Sequence, residues 1–238
     1  LYAYDPAWNV LMAKATKVLD RMDILMPLSD RRAPFGRAEK IRRMVEVLCT
    51  ALDDFPGVGI GFPHATQVEV EYVVHMCAAA VEAGVHRITL YDTNGGADPW
   101  TVTELVREVR SQTEIEVCFH AHNDLGMATA NAAAAVRAGA SCLDVTVNGL
   151  GDRAGNASLE QVALVLHKWG VRTGIQLERL QDLSRTVEEM TKVPVAKLAP
   201  VVGEFAFRHK SPAHLASPEL FEAFAPSLTG SRRTTSES

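Results

Sequence analysis

The stretch "IEVCFHAHNDLG", Ile115 to Gly126, runs from an apolar, β-prone segment straight into two histidines, an asparagine and an aspartate. A helical pattern, "GMATANAAAAVRAGA", follows at once. A strand that ends in polar side chains and hands over to a helix reads as a βα unit with its chemistry at the strand's C-terminal end. Four further runs read the same way: "MDILMPL" (22–28), "VGIGF" (58–62), "RITLYD" (87–92) and "CLDVTV" (142–147). None alternates strictly, which predicts strands buried on both faces. Between them, "AEKIRRMVEVLCTAL", "VEYVVHMCAAAVEAG" and "DPWTVTELVREVR" carry apolar residues three and four apart, and two of the helical segments end in the "AG" of a helix C-cap.

A strand-to-strand period of roughly 30 residues is that of a βα unit. The pattern predicts an α/β fold, a (β/α)8 TIM barrel of which about five C-terminal βα units are present. The rival is a doubly wound open sheet. Five strands cannot close an eight-stranded barrel, so the chain, which begins at Leu1, reads as part of a longer one. "LYAYDPAWNVLMAKATKV" would then be the end of a preceding strand and its helix. The expected organisation is barrel over residues 1–170, a small helical subdomain over 171–228 and a polar, disordered tail over 229–238. The subdomain holds the helical patterns "LERLQDLSRTVEEMTK" and "PELFEAFAP".

Composition excludes several classes. The 238 residues are 47% hydrophobic and 22% charged, enough for one large core. A net charge of -5 with no long basic run argues against nucleic acid as a partner. No apolar stretch reaches the roughly 18 to 20 residues that span a bilayer, and no signal-peptide pattern opens the chain. Cys49, Cys77, Cys118 and Cys142 lack CxxC spacing and read as reduced core thiols. A cytoplasmic protein is expected.

Polar residues gather just past the strand ends: Ser29 and Asp30, His64, Asp92 and Thr93, His120 and His122, Asn148. Histidines at i and i+2 on a strand point to one face, so both imidazoles can converge on one ion. Asp124 is a candidate to orient one of them. The loop "NGLGDRAGN" contains Gly149, Gly151 and Ala154 in G-x-G-x-x-A spacing, either a dinucleotide fingerprint or a tight turn. Arg153 and Asn156 could reach a substrate carboxylate and a metal. Other residues have plainer readings. His75, His86 and His167 read as surface or boundary residues, Trp8, Trp100 and Trp169 as packing residues, and "DRRAPFGRAEKIRR" as a solvated loop and helix face.

The segment "FHAHNDLGMATANAAAAVRAGASCLDVTVNGLGDRAGNASLEQV" resembles the signature of the isopropylmalate, homocitrate and citramalate synthases, the Claisen-condensing members of the DRE-TIM metallolyase barrels. "LYDTNGGADPWTVTELV" is similar to the family's preceding strand and helix, and "VVGEFAFRHKSPAH" to its C-terminal subdomain. The resemblance implies that His120 and His122 are metal ligands, with Asn156 a further ligand or a neighbour through water. It places Thr146 against an α-keto acid, and Asp92, Thr93 and Arg153 complete the expected substrate-binding set. It implies that His214, with His209 nearby, enolises acetyl-CoA. The implied cofactor is a divalent metal (Mn, Mg, Zn or Co), with acetyl-CoA as co-substrate and a homodimer as the full-length form. Arg31, Arg32 and Arg37 fall where the family's loop approaches the CoA side.

The chain departs from the family pattern in several places. The first strand, with "RDGxQ" and an acidic metal ligand, is absent. Pro63 and His64 stand where the family carries an acidic pair, and His64 is the expected proton carrier in its place. "GER" has become "GDR" at Asp152, and Phe221 stands for a tyrosine whose hydrogen bond a phenyl ring cannot give. Two alternatives to a synthase therefore stand: a carbon-carbon lyase or aldolase of the same barrel class, and a catalytically silent paralogue.

Overall fold

The computed structural model describes residues 19–30 and 34–233. "LYAYDPAWNVLMAKATKV", Trp8 within it, Arg31, Arg32 and the last residues of the tail lie outside the described residues.

Among the described residues, the first of two compact units runs from Leu19 to Asp144 and includes Asp152–Asn156. Its five strands are β1 (Met22–Leu25), β2 (Val58–Phe62), β3 (Arg87–Asp92), β4 (Glu116–Ala121) and β5 (Cys142–Asp144). All pair in parallel, in the order β1-β2-β3-β4-β5. A doubly wound sheet reverses its order at a switch point, whereas each strand here lies beside the next in sequence, as in a barrel wall. The connecting helices are α1 (Arg37–Asp54), α2 (Val70–Ala83), α3 (Pro99–Ser111) and α4 (Ala128–Ala138). The two "AG" caps form as expected: α2 stops at Gly84 (φ 102°) and α4 at Gly139 (φ 112°), left-handed positions that suit glycine. Helix α3 opens with Pro99 in its first turn, and Asp98 accepts from the Thr101 N–H at 2.8 Å.

Alternate strand residues, Met22 and Ile24, Val58, Ile60 and Phe62, Ile88 and Leu90, Val117 and Phe119, are buried with the apolar faces of these helices. The other face corrects the expectation of strands buried on both sides for β1, β4 and β5, whereas β2 is buried at every residue as expected. That face carries Asp23, Arg87, Glu116, His120 and Asp144, and the Asp23 and Glu116 side chains are each 42% exposed. Strand β2 leaves this face bare: Gly59 and Gly61 stand there. The Asp23 carboxylate lies over Gly59 and pairs with Arg87, while Leu25 and Tyr91 close over Gly61.

Strands β1 and β5 are shorter than their β-prone runs. Past Leu25 the chain stays tethered, Met26 N–H donating to Gly61 O at 2.9 Å and Leu28 N–H to Pro63 O at 3.0 Å. Past Asp144 it leaves the sheet, and Thr146 N–H donates to Ala157 O instead. Lys40 corrects the reading of its segment as a solvated face. It is fully buried on α1, and its Nζ donates to Leu28 O at 2.8 Å and to Asp30 Oδ1 at 2.7 Å, which satisfies the ammonium. The cysteine reading is corrected too: all four are free, but Cys49 is exposed and Cys142 only half-buried. Trp100 is 80% exposed and is not a packing residue, whereas Trp169, 39% exposed, is mostly covered.

The second unit comprises Val145–Gly151 and, of the described residues, those from Ala157 to Arg233. It contains α5 (Leu159–Lys168), α6 (Leu180–Thr191) and α7 (Pro212–Ala216). Ala163 and Leu164 of α5 pack with Leu177, Leu180, Val201 and Val202, so the boundary expected at residue 170 falls inside this unit. "PELFEAFAP" forms only a 3₁₀ turn, Pro218–Leu220, and Pro226 opens a second. The described part of the tail is ordered, contrary to expectation. Thr229 is buried, Ser231 Oγ donates to Gln181 Oε1 at 2.9 Å, and Arg233 pairs with Glu222 at 2.8 Å. Among the described residues, no helix is long and apolar enough to cross a membrane.

Candidate active site

In the first unit the loops after β2, β3 and β4 and the segment Asp152–Asn156 assemble one polar cluster. His120, near the end of β4, and His122, just past it, present their imidazoles to the same face, Nε2 to Nε2 at 3.3 Å. Asp144, the register partner of His120 on β5, takes the other ring nitrogen: His120 Nδ1 lies 3.2 Å from Asp144 Oδ2. A carboxylate at Nδ1 fixes that nitrogen as the donor and leaves the Nε2 lone pair facing His122. The imidazole beside it holds the Asp144 carboxyl below its ordinary value, chiefly through this hydrogen bond. Burial, and then the neighbouring His120, push the His122 pKa down, which favours the neutral ring with one nitrogen lone pair that a metal ligand needs.

These residues fit a cation. Two nitrogens held by one ion at about 2.1 Å each stand roughly 3.0 to 3.4 Å apart for angles near 90 to 110°. The 3.3 Å separation falls in that span. The backbone of His122 also bridges to that of Asn156, whose side-chain Oδ1 is buried without a hydrogen-bond partner in the protein. Buried polar atoms left unsatisfied are costly and call for a partner from outside the chain.

Asp124 does not orient an imidazole. It takes Arg153 in a bidentate pair, Nε to Oδ1 at 2.7 Å and Nη2 to Oδ2 at 3.0 Å, and the carboxylate at the histidine pair is Asp144 instead. Arg153, itself in the left-handed region (φ 56°), also donates to Thr93 O at 2.9 Å. Thr93 Oγ1 in turn accepts from the His64 N–H at 2.7 Å, which sets the left-handed turn at His64 (φ 68°). Asp92 is fully buried, and its carboxylate accepts from Thr66 Oγ1 at 2.9 Å and from the Ala97 N–H at 3.2 Å. Both interactions tie down the loops that carry His64 and Thr93. A cleft of about 630 Å³ opens beside Leu28, Asp30, Arg37, Glu69 and Tyr72. There Arg37 pairs with Glu69 at 2.5 Å and lies over the Tyr72 ring.

Thr146, His209 and His214 belong to the second unit. Thr146 Oγ1 is buried without a partner. His209 Nδ1 lies 3.4 Å from His214 Nδ1, and His209 Nε2 lies 3.2 Å from Glu222 Oε1. His214 stacks on Phe221, ring centres 3.8 Å apart at 14°. Glu222, absent from the sequence-derived site, is therefore the acidic end of a three-residue line. The signal available in the sequence is the second acid of "ELFE", next to Phe221. Asn148 is also not free for a ligand. Its N–H donates to Glu160 Oε1 at 2.9 Å, its amide to Ser184 O at 3.0 Å, and Ser184 Oγ to its Oδ1. The glycine loop opens no helix: α5 begins only at Leu159, capped by Ser158, so the dinucleotide reading fails and the tight turn stands.

Comparison with known proteins places the chain in a family. Residues 19–187 match the family model described as HMGL-like. A Methanopyrus kandleri protein provisionally named (R)-citramalate synthase is 40% identical over 90% of this chain and 44% of its own. The 2-isopropylmalate synthase of Methanocaldococcus jannaschii is 32% identical over 90% and 43%, and homocitrate synthase 1 of Nostoc sp. 34% identical over 95% and 64%. The chain thus spans about half the length of the curated relatives it matches. Among solved structures, the hydroxymethylglutaryl-CoA lyase of Pseudomonas aeruginosa superposes with a TM-score of 0.70 at 20% identity, covering 82% of this chain and 70% of that one, a likeness of fold. A parallel sheet wound in strict sequence, a histidine pair at the mouth of its fourth strand, and a family model that matches well over half the residues lead to one assignment: the chain belongs to the HMGL-like family of DRE-TIM barrels.

Proposed function

We propose that this chain is the C-terminal part of the catalytic domain of an acyltransferase that condenses acetyl-CoA with an α-keto acid, giving a 2-hydroxy acid and CoA. The observation that carries the reading is the imidazole pair at 3.3 Å with its Asp144 support and the unsatisfied Asn156 Oδ1. The synthase names of relatives 32 to 40% identical supply the reaction class.

In this reading His120, His122 and Asn156 hold a divalent metal (Mn, Mg, Zn or Co), which when bound polarises the keto group as a Lewis acid. Arg153 turns from Asp124 to the keto acid's carboxylate, and Thr146 and Thr93 contact the same substrate. Asp92 positions Thr93 and His64 from behind. His64 handles a proton on the side where the family pattern has an acid. His214 removes a methyl proton of acetyl-CoA, and the carbon so freed forms the new carbon-carbon bond. His209, hydrogen-bonded to Glu222, supports the charge that His214 takes up. The cleft beside Arg37 suits the nucleotide end of CoA. The expected homodimer and cytoplasmic location accompany this reading.

The test is CoA release from acetyl-CoA by the intact protein, with manganese or zinc, across a panel of α-keto acids. Release that needs both metal and one keto acid establishes the synthase. Cleavage of a hydroxyacyl-CoA without condensation establishes the lyase alternative, and neither activity in a folded, metal-binding protein leaves the silent paralogue.

A further inference from the structure

One layer below the histidine pair, toward the N-terminal ends of the strands, lie two thiols that the condensation reading does not use. Cys118 and Cys142 are register partners on adjacent parallel strands. Cys118 is two residues before His120, and Cys142 two before Asp144, so all four project from the same face. Cys118 Sγ lies 3.5 Å from Asp144 Oδ1. One sulfur from each cysteine and one Asp144 oxygen all fall within 4.8 Å of one another. Cys118 is buried, whereas Cys142 is half-buried and the Asp144 side chain 45% exposed, so the group is reachable from that side.

The geometry points to a second metal site, S₂O in its donors, for a thiophilic divalent cation of the zinc and cadmium class. Two sulfurs and one carboxylate oxygen are three of the four ligands that such an ion takes, and the open side at Cys142 leaves the fourth place for water. Magnesium and manganese, which favour all-oxygen shells, are poor matches to two sulfurs, whereas the imidazole pair above suits several metals. The two sites therefore differ in selectivity. On binding, each thiol gives its proton to solvent and the ion forms two metal–sulfur bonds, with no change of oxidation state. The proposal does not depend on the condensation reading, because it concerns residues outside that chemistry apart from the shared Asp144.

The experiment is a cadmium titration of the reduced, metal-free protein carrying Cys49→Ser, which removes the exposed thiol. The readout is cadmium–thiolate charge-transfer absorption in the ultraviolet, which nitrogen and oxygen ligands do not produce. The band is expected to saturate at one cation per chain and to persist in His122→Ala. It should be lost, or its affinity reduced at least about 100-fold, in Cys142→Ser, since removing a direct ligand costs more than the roughly 10- to 100-fold of an outer-shell loss. Cys118→Ser should behave alike; if that buried variant fails to fold, the half-buried Cys142→Ser, checked by circular dichroism, decides alone. No band in the folded parent, or a band unchanged in folded Cys142→Ser, overturns the proposal.

Discussion

Asp23 of β1 and Arg87 of β3 form an ion pair across a strand to which neither belongs. They meet because Gly59 of β2, in register with both, has no side chain to come between them. Gly61 repeats the device one layer higher for Leu25 and Tyr91. A Cβ on Gly61 would stand 2.5 Å from Leu25 Cδ2 and 2.8 Å from Tyr91 Cε2. Gly61→Ala should therefore lower the unfolding free energy by about 1–3 kcal/mol through overpacking, less the few tenths to 1 kcal/mol that loss of glycine entropy returns. Urea denaturation measures it. Tyr91 also lies with its ring centre 4.7 Å from that of His120, so the same variant should bind metal more weakly.

His120→Ala and His122→Ala should each abolish manganese or zinc binding at the imidazole pair, followed by isothermal titration in a Cys118→Ser, Cys142→Ser background. Asp144→Asn leaves both Nε2 atoms in place and removes only the charged support. It should cost about 10- to 100-fold in affinity, the usual weight of a second layer of ligands.

Lys40 is buried with two acceptors and no water-facing side. Lys40→Ala would strand Leu28 O and open a cavity, at a cost of about 2–4 kcal/mol. Lys40→Met fills the space without replacing the donor, and recovery of about half the loss would separate packing from hydrogen bonding.

The Glu222 carboxyl is held below its usual value of 4.5, first by its hydrogen bond from Arg233 and then by His209. A carboxyl lowered by folding stabilises the protein above its unfolded pKa and loses that contribution as pH falls through the folded value. Arg233→Ala should thus be less stable than the parent at pH 6, and the difference should shrink as pH drops below 4.5. Guanidinium melts at a series of pH values test the sign, and a carbon NMR titration of Glu222 should show its pKa rising in the variant.

The βα alternation was legible because each strand ends in polar residues and each helix keeps its three-and-four spacing; β2 and β3 coincide with their predicted runs residue for residue. The polar face of the sheet was less legible. Two glycines in "VGIGF" pass for apolar positions in a hydropathy pattern, yet they are what admits Asp23 and Tyr91. The histidine pair followed from strand periodicity alone. Its carboxylate partner did not, because Asp124 is adjacent in sequence while Asp144 is adjacent only through strand register. The ordered end of the tail was hidden for a similar reason: Ser231 and Arg233 are polar, but their partners Gln181 and Glu222 lie far back along the chain.

Arg153 meets any incoming anion already neutralised by Asp124. A ligand carboxylate that displaces Asp124 exchanges one ion pair for another, and the carboxylate set free is rehydrated. Added salt screens the broken pair and the new one alike, so affinity for such a ligand should vary little with ionic strength. A guanidinium standing alone would instead lose affinity steadily as salt rises. Discrimination at this position then comes from the two-pronged geometry of the guanidinium, with little contribution from long-range attraction.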